Sequence, residues 1–227
     1  DERLTYTQAA RDVAAFAAWL QTQGIGSGDR VAISMRNYPE WMLAHWAINA
    51  IGAVVVGMNA WWVADEMVYA LNDSQPKLLI ADDRRLAIFA QIQDQFPDIE
   101  VVAVREPNAP MPATAWQDAI AVDAALPDVA IDTDSDACIF YTSGTTGRPK
   151  GAQLTHRSCI TNIINIAALG RITATTQGLS RGAELTESVA PPTPTCLIAT
   201  PLFHVTANNC VLQAGTVAGG KFVLMYK

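Results

Sequence analysis

Residues Tyr141-Thr142-Ser143-Gly144-Thr145-Thr146-Gly147-Arg148-Pro149-Lys150-Gly151 combine four serine and threonine hydroxyls, three glycines and a lysine within eleven positions. The hydroxyls of Thr142, Ser143, Thr145 and Thr146 can donate to phosphate oxygens. Gly144, Gly147 and Gly151 let the backbone come close and turn its N–H groups toward an anion. Lys150 adds a point charge of the kind that neutralises β- and γ-phosphates. The expected chemistry is the wrapping of a polyphosphate. A Walker A loop is excluded, because that pattern needs Gly-Lys-Ser/Thr after four spacers. Here Pro149 precedes the lysine and Gly151 follows it. A flexible surface loop of similar composition is the bland reading. The ordered run ending in Pro-Lys-Gly after a buried strand outweighs it.

The flanking sequence must position this loop. Ala137–Tyr141 (ACIFY) is an apolar strand entering it, and Ala152-Gln153-Leu154 is a short strand leaving it. Upstream, helical and strand patterns alternate. Apolar residues at helical spacing predict a helix over Thr7–Gln23, ended by Gly24. Arg30–Met35 is a strand, and Pro39 with Glu40 starts a second helix that Gly52 stops. Val54–Val56 is a strand, Asp65–Asn72 a helix, Lys77–Ala81 a strand, Arg84–Phe96 a helix and Glu100–Arg105 a strand. Continuous apolar strands separated by helices predict parallel sheets covered on both faces. Proline and scattered acids weaken the pattern between 106 and 136, apart from a short helix near Trp116. Beyond the loop, a helix is expected from Thr155 through Ala167, a mobile loop over Arg171–Thr195, and strands at Cys196–Thr200 and Lys221–Tyr226. The expected class is α/β with two βαβ-type lobes: residues 1–130 and the start of a second lobe over 131–227.

Composition bounds what else the chain can do. It has 227 residues, is 50% hydrophobic and carries a net charge of −7. That supports a buried core and argues against a nucleic-acid partner, which needs a concentrated basic face. Trp41–Ala64 has no Asp, Glu, Lys or Arg, yet Asn49, Gly52, Gly57 and Asn59 interrupt it. A buried helix and strand are expected there rather than a membrane span. Cys138, Cys159, Cys196 and Cys210 form no CxxC pair and only three histidines exist, so no metal ligand set is expected. With no leader visible, reduced thiols and a cytoplasmic location are the simplest expectation. Asp132, Asp134 and Asp136 lack the Gly and distal Glu of a calcium loop and are expected to form a solvated turn. His45 is expected to pack in the core, Trp61-Trp62 to pack in a core or interface, and Cys138 to be an inert buried thiol. Thr155 is expected to cap its helix, with His156 structural.

The loop resembles the phosphate loop of the adenylate-forming enzymes: acyl- and aryl-CoA synthetases, luciferases and peptide-synthetase adenylation domains. The resemblance extends along the chain. Residues 4–60 and 65–82 are similar to that family's first helices and strands. Thr155-His156-Arg157-Ser158 resembles the start of its next helix, and Thr200-Pro201-Leu202-Phe203-His204-Val205 its Pro-Leu-Phe-His substrate segment.

The resemblance implies ATP-dependent activation of a carboxylic acid, a fatty acid first, to an acyl-adenylate and then to acyl-CoA. Mg²⁺ and coenzyme A are implied with it. Thr142, Ser143, Gly144, Thr145, Thr146, Gly147 and Lys150 would hold the phosphates. Phe203 and His204 would border the acid. The alternatives are an adenylation domain that loads a carrier protein and a catalytically inactive phosphate-binding piece. Several family parts are missing from the sequence: a Tyr-Gly-x-Thr-Glu segment, the ribose-binding Asp, and the hinge and C-terminal domain with its lysine. Members are roughly twice as long or more. The chain is therefore expected to be an N-terminal-domain fragment, inactive by itself, with exposed apolar surface and a tendency to dimerise. Ala207-Asn208-Asn209 stands where many relatives carry an early Gly.

Overall fold

The computed structural model describes residues 2–142, 147–180 and 193–225. Helix α1 (Tyr6–Thr22) begins where Thr5 accepts from the Gln8 amide, while the Gln8 side chain accepts from the Thr5 amide. This reciprocal pair satisfies N–H groups that a helix start leaves orphaned. The helix buries Ala14, Phe16, Ala17 and Leu20, and Gly24 then turns the chain at φ +73°. Strand β1 (Arg30–Ser34) leads to α2 (Pro39–Ala50) and β2 (Val54–Gly57). Pro39 opens α2 and Gly52, at φ +73°, separates it from β2. Among the described residues no helix is long and apolar enough to cross a membrane.

Helix α3 (Ala64–Ser74), β3 (Leu78–Asp82), α4 (Asp83–Phe89), β4 (Glu100–Val104), β5 (Thr114–Ala115) and α5 (Trp116–Ala119) follow. The expected helix over Arg84–Phe96 is shorter than its pattern. It stops at Phe89, and a 3₁₀ turn covers Gln93–Gln95. Pro97 disfavours helical backbone at Phe96, and the break lets both Phe89 and Ile92 reach the core.

Strand β6 (Asp136–Thr142) and β7 (Lys150–Thr155) form an antiparallel hairpin that pairs Thr142 with Lys150. Helix α6 runs from His156 to Ser180, correcting the loop expected from Arg171. Helix propagation needs only local backbone bonds. The hydroxyls of Thr176 and Ser180 are absorbed inside it, donating to the Ile172 and Gln177 carbonyls. The remainder of that expected loop, residues 181–192, lies outside the described residues. Strand β8 (Thr195–Ile198) pairs in parallel with β9 (Lys221–Leu224). Between them lie a π-helical turn (Thr206–Gln213) and α7 (Ala214–Val217).

The large sheet has the order β5-β4-β3-β1-β2-β6-β7, parallel throughout except for β7. The hairpin β6–β7 therefore extends the sheet formed by β1–β5, and β8–β9 is a separate pair. Helices cover both faces, as fully apolar parallel strands require. One core gathers Phe16, Leu20, Trp41, Ile48, Val31 and Ile33 under α1 and α2. The other gathers Met67, Leu71, Leu86, Phe89, Leu79 and Val56 under α3 and α4. β2 and β3 are adjacent in sequence but lie on opposite sides of β1. Such a reversal of strand order opens a crevice at the carboxyl ends of the strands, where open α/β sheets bind ligands.

Candidate functional site

The hairpin loop leaves β6 at that carboxyl edge. Thr142 donates from its hydroxyl to the Lys150 carbonyl at 3.4 Å, and Gly147 sits at φ +93°. That left-handed backbone favours glycine. Thr142, Gly147 and Lys150 are exposed and available to an anion. Ser143, Gly144, Thr145 and Thr146 lie outside the described residues. Gly151 is fixed by packing, since a Cβ there would stand 2.9 Å from Ile139. The loop base is anchored by Tyr141, whose hydroxyl donates to Asp73 Oδ2 at 2.8 Å and to the Ala70 carbonyl at 3.2 Å. Burial, with Asp73 beside it, raises the Tyr141 pKa further above its ordinary value and keeps the phenol protonated.

A cavity of about 370 Å³ opens beside the loop, lined in part by Trp61, Trp62, Tyr141, Thr142, Gly147 and Arg148. Trp62 is buried and meets Tyr141 edge-on with ring centroids 5.4 Å apart. Trp61 is 63% exposed. The two tryptophans therefore divide: Trp62 packs in the core as expected, and Trp61 stands at the cavity mouth. Arg148 lies over the Tyr69 ring at 5.4 Å. A larger cavity of about 560 Å³ sits at the amino ends of β4 and β5, lined by Trp19, Phe89, Phe96 and Met111. It is at the opposite end of the sheet from the loop.

The second candidate segment reaches the same edge by tertiary packing. Phe203 meets Trp61 edge-on at 5.3 Å. Gly57 lets this segment approach, because a Cβ there would stand 2.7 Å from the Phe140 ring and 3.3 Å from the Phe203 carbonyl. His204 is exposed, and its Nδ1 accepts from the Thr206 amide at 3.2 Å. Phe203 is thus joined through Trp61 to the cavity that Thr142 and Gly147 line.

Other expectations resolve around this edge. Thr155 Oγ1 accepts from the Ser158 amide at 3.2 Å, so it caps α6 as expected. Asp134 pairs with Arg157 at 2.6 Å, an exposed ion pair in the acidic turn. Cys138 is buried with its sulfur 4.0 Å from Cys159 Sγ. That neighbour and burial push the Cys138 thiol pKa up. Among the described residues no three His, Cys, Asp or Glu side chains cluster to hold a metal. Glu66 beside the cavity caps α3 by accepting from the Val63 amide, and Asp73 is engaged by Tyr141. Sequence reasoning missed Asn37, which ties the Phe203 segment to β1. Its only signal was a polar residue between a strand end and a proline-started helix.

A parallel α/β sheet with a glycine- and hydroxyl-rich hairpin at its carboxyl edge belongs to the class of open α/β folds that place ligands at that edge. The family described as AMP-binding enzyme matches residues 1–227, and the chain belongs to it. The chain is 30% identical over 221 residues to a feruloyl-CoA synthase from Amycolatopsis sp, covering 97% of this chain and 38% of that protein. It is 30% identical over 223 residues to a long-chain-fatty-acid–CoA ligase from Thermus thermophilus, covering 98% and 38%. The crystal structure of ATP-bound MatB from Rhodopseudomonas palustris superposes with a TM-score of 0.76 at 23% identity, covering 99% of this chain and 40% of that chain. The chain thus spans about two fifths of the length of these proteins. The fold matches the N-terminal domains of adenylate-forming enzymes.

Proposed function

We propose that the whole protein activates a carboxylic acid with ATP and transfers the acyl group to coenzyme A, with this chain supplying the phosphate loop and part of the acid pocket. The carrying observation is the junction of the β6–β7 loop with the Phe203–His204 segment across Trp61. In the first step a carboxylate oxygen attacks the α-phosphorus, and the bond to the pyrophosphate leaving group breaks. In the second a thiol attacks the acyl carbonyl, and AMP leaves. Neither step needs a protein nucleophile; both need phosphate charge held and the reactants aligned. Lys150 and the loop hydroxyls serve the β- and γ-phosphates in this reading, Phe203 forms part of the acid pocket wall, and His204 lies beside its carboxylate. Bound Mg²⁺ supplies charge neutralisation on the phosphate oxygens. A fatty acid is the first substrate class. An aryl acid is the second reading, supported by the Trp61–Phe203 ring pair, which offers an aromatic wall. Residues 1–130 and 131–227 are taken as one lobe and the start of another. A cytoplasmic location and a homodimer complete the proposal.

The test is acid-dependent ATP–pyrophosphate exchange by the full protein with fatty and aryl acids. Lys150→Ala is expected to slow exchange about 10- to 100-fold, the loss of one charge-assisted phosphate contact. Unchanged exchange would remove Lys150 from the phosphate site. The 227-residue chain by itself is expected to show little exchange, and robust exchange would overturn that expectation.

A further inference from the structure

We infer that Asn37 and His45 are positioning residues that clamp the Phe203–His204 segment from both sides, an inference that rests on the acid-activating reading. Asn37 follows β1 and is 7% exposed. Its Oδ1 accepts from the Leu202 amide at 2.8 Å. Its Nδ2 donates to the Thr200 carbonyl at 3.0 Å and to the Met225 carbonyl at 3.2 Å. One primary amide thus fastens the chain just after β8 and just after β9 to the end of β1. The geometry needs an acceptor and two donors on one short side chain. Asp keeps the acceptor but cannot donate, and Gln reaches too far by a methylene.

His45 acts on the other side. It lies on α2, 1% exposed, with Nδ1 3.4 Å from Asn208 Nδ2 and Nε2 3.4 Å from Gln213 Nε2. Gln213 Nε2 also donates to Asn208 Oδ1 at 3.2 Å. The Asn208 backbone N–H donates to the His204 carbonyl at 3.1 Å. Asn208 and Gln213 are buried among apolar neighbours, where unpaired polar groups are costly. They are five residues apart. An α-helix would set them roughly 140° apart around its axis, whereas the wider π-turn brings residues i and i+5 together. The π geometry of Thr206–Gln213 therefore brings both side-chain amides to His45, whose neutral ring accepts from one of them. It also fixes the exit direction of the chain immediately after His204.

The clamp is read by amide hydrogen exchange and by steady-state ATP–pyrophosphate exchange on the full protein. In Asn37→Ala the Leu202 amide is expected to lose protection at least about tenfold, while amides of β1 and β2 keep theirs. The KM for the acid is expected to rise about tenfold with the KM for ATP within about twofold. Asn37→Asp keeps the acceptor and is expected to retain part of the Leu202 protection. Gln213→Met is expected to loosen amides 206–213 and raise the acid KM while Leu202 stays protected. Unchanged protection at Leu202 in Asn37→Ala, or acid and ATP KM values rising together in that variant, would overturn the clamp. Should Asn37→Ala unfold as a whole, Gln213→Met decides: unchanged protection of amides 206–213, or acid and ATP KM values rising together, would overturn the clamp. A wild-type protein with no acid-dependent exchange would overturn the acid-activating reading instead, and amide exchange alone would then decide the clamp.

Discussion

His45 shows how far a single residue's surroundings can move its chemistry. Burial, with His156 nearby, lowers its pKa from the ordinary 6.5 to about 3. Between those values the unfolded chain binds a proton that the native chain refuses. Stability from this group is therefore full above pH 6.5 and lost as pH falls toward 3, by up to about 1.4 kcal/mol per pH unit. The urea midpoint is expected to fall between pH 6.5 and 5, and His45→Gln should flatten that slope. An equal slope in the variant would remove His45 as its source. Gly57 is the other position where one atom decides. A Cβ there would stand 2.7 Å from the Phe140 ring. Gly57→Ala is expected to cost about 1–3 kcal/mol, and a wild-type urea midpoint in that variant would refute the close approach. The sequence placed His45 in the core correctly. It could not show Asn208 and Gln213 around it, which lie more than 160 residues away.

At the scale of elements, the turn after β2 is held by an ion pair that no periodicity announces. Asp82 and Arg85 pair at 3.2 Å with side chains 1% and 2% exposed. Arg85 Nε donates to the Ala60 carbonyl at 2.7 Å, and the Arg36 amide donates to Asp82 Oδ2 at 3.0 Å. The pair thereby sets the turn that carries Trp61 and Trp62 to the cavity. Arg85→Met would leave a buried carboxylate uncompensated and is expected to cost about 3–5 kcal/mol, with Asp82→Leu added to it recovering part. Equal additive losses in a urea-melt double-mutant cycle would exclude coupling. Helices with clear stops, α1 and α2, ended within a residue or two of their sequence patterns. The ends of α4 and α6 did not, because each depended on a balance that local pattern leaves open. The π-turn was invisible in the local pattern, and the buried contacts it brings to His45 on α2 are long-range.

Across the whole molecule, the sheet has cores on both faces, but several apolar side chains stay in solvent. On α6, Ile164, Leu169 and Ile172 are 60%, 65% and 63% exposed; Leu197 and Val217 are 57% and 67%. Exposed apolar side chains of this kind favour association. The 227-residue chain is expected to self-associate as concentration rises in analytical ultracentrifugation. The double substitution Ile164→Glu with Ile172→Glu should suppress this with little change in melting temperature, since surface changes usually cost within about 0.5 kcal/mol. Undiminished association in that variant would place the contact elsewhere. The sequence by itself determined the α/β class and the alternation of helices and strands, and it marked the glycine- and hydroxyl-rich loop, because these depend on short-range periodicity and on residue types within eleven positions. Only the tertiary structure decided that β6–β7 extends the sheet of β1–β5 and that Trp62 packs while Trp61 does not. It also decided that Asn37 meets the Leu202 amide and the Thr200 and Met225 carbonyls, and that His45 meets Asn208 and Gln213. Those outcomes are contacts between residues up to 188 positions apart, and nothing local in a sequence fixes which distant backbone groups a buried amide will meet.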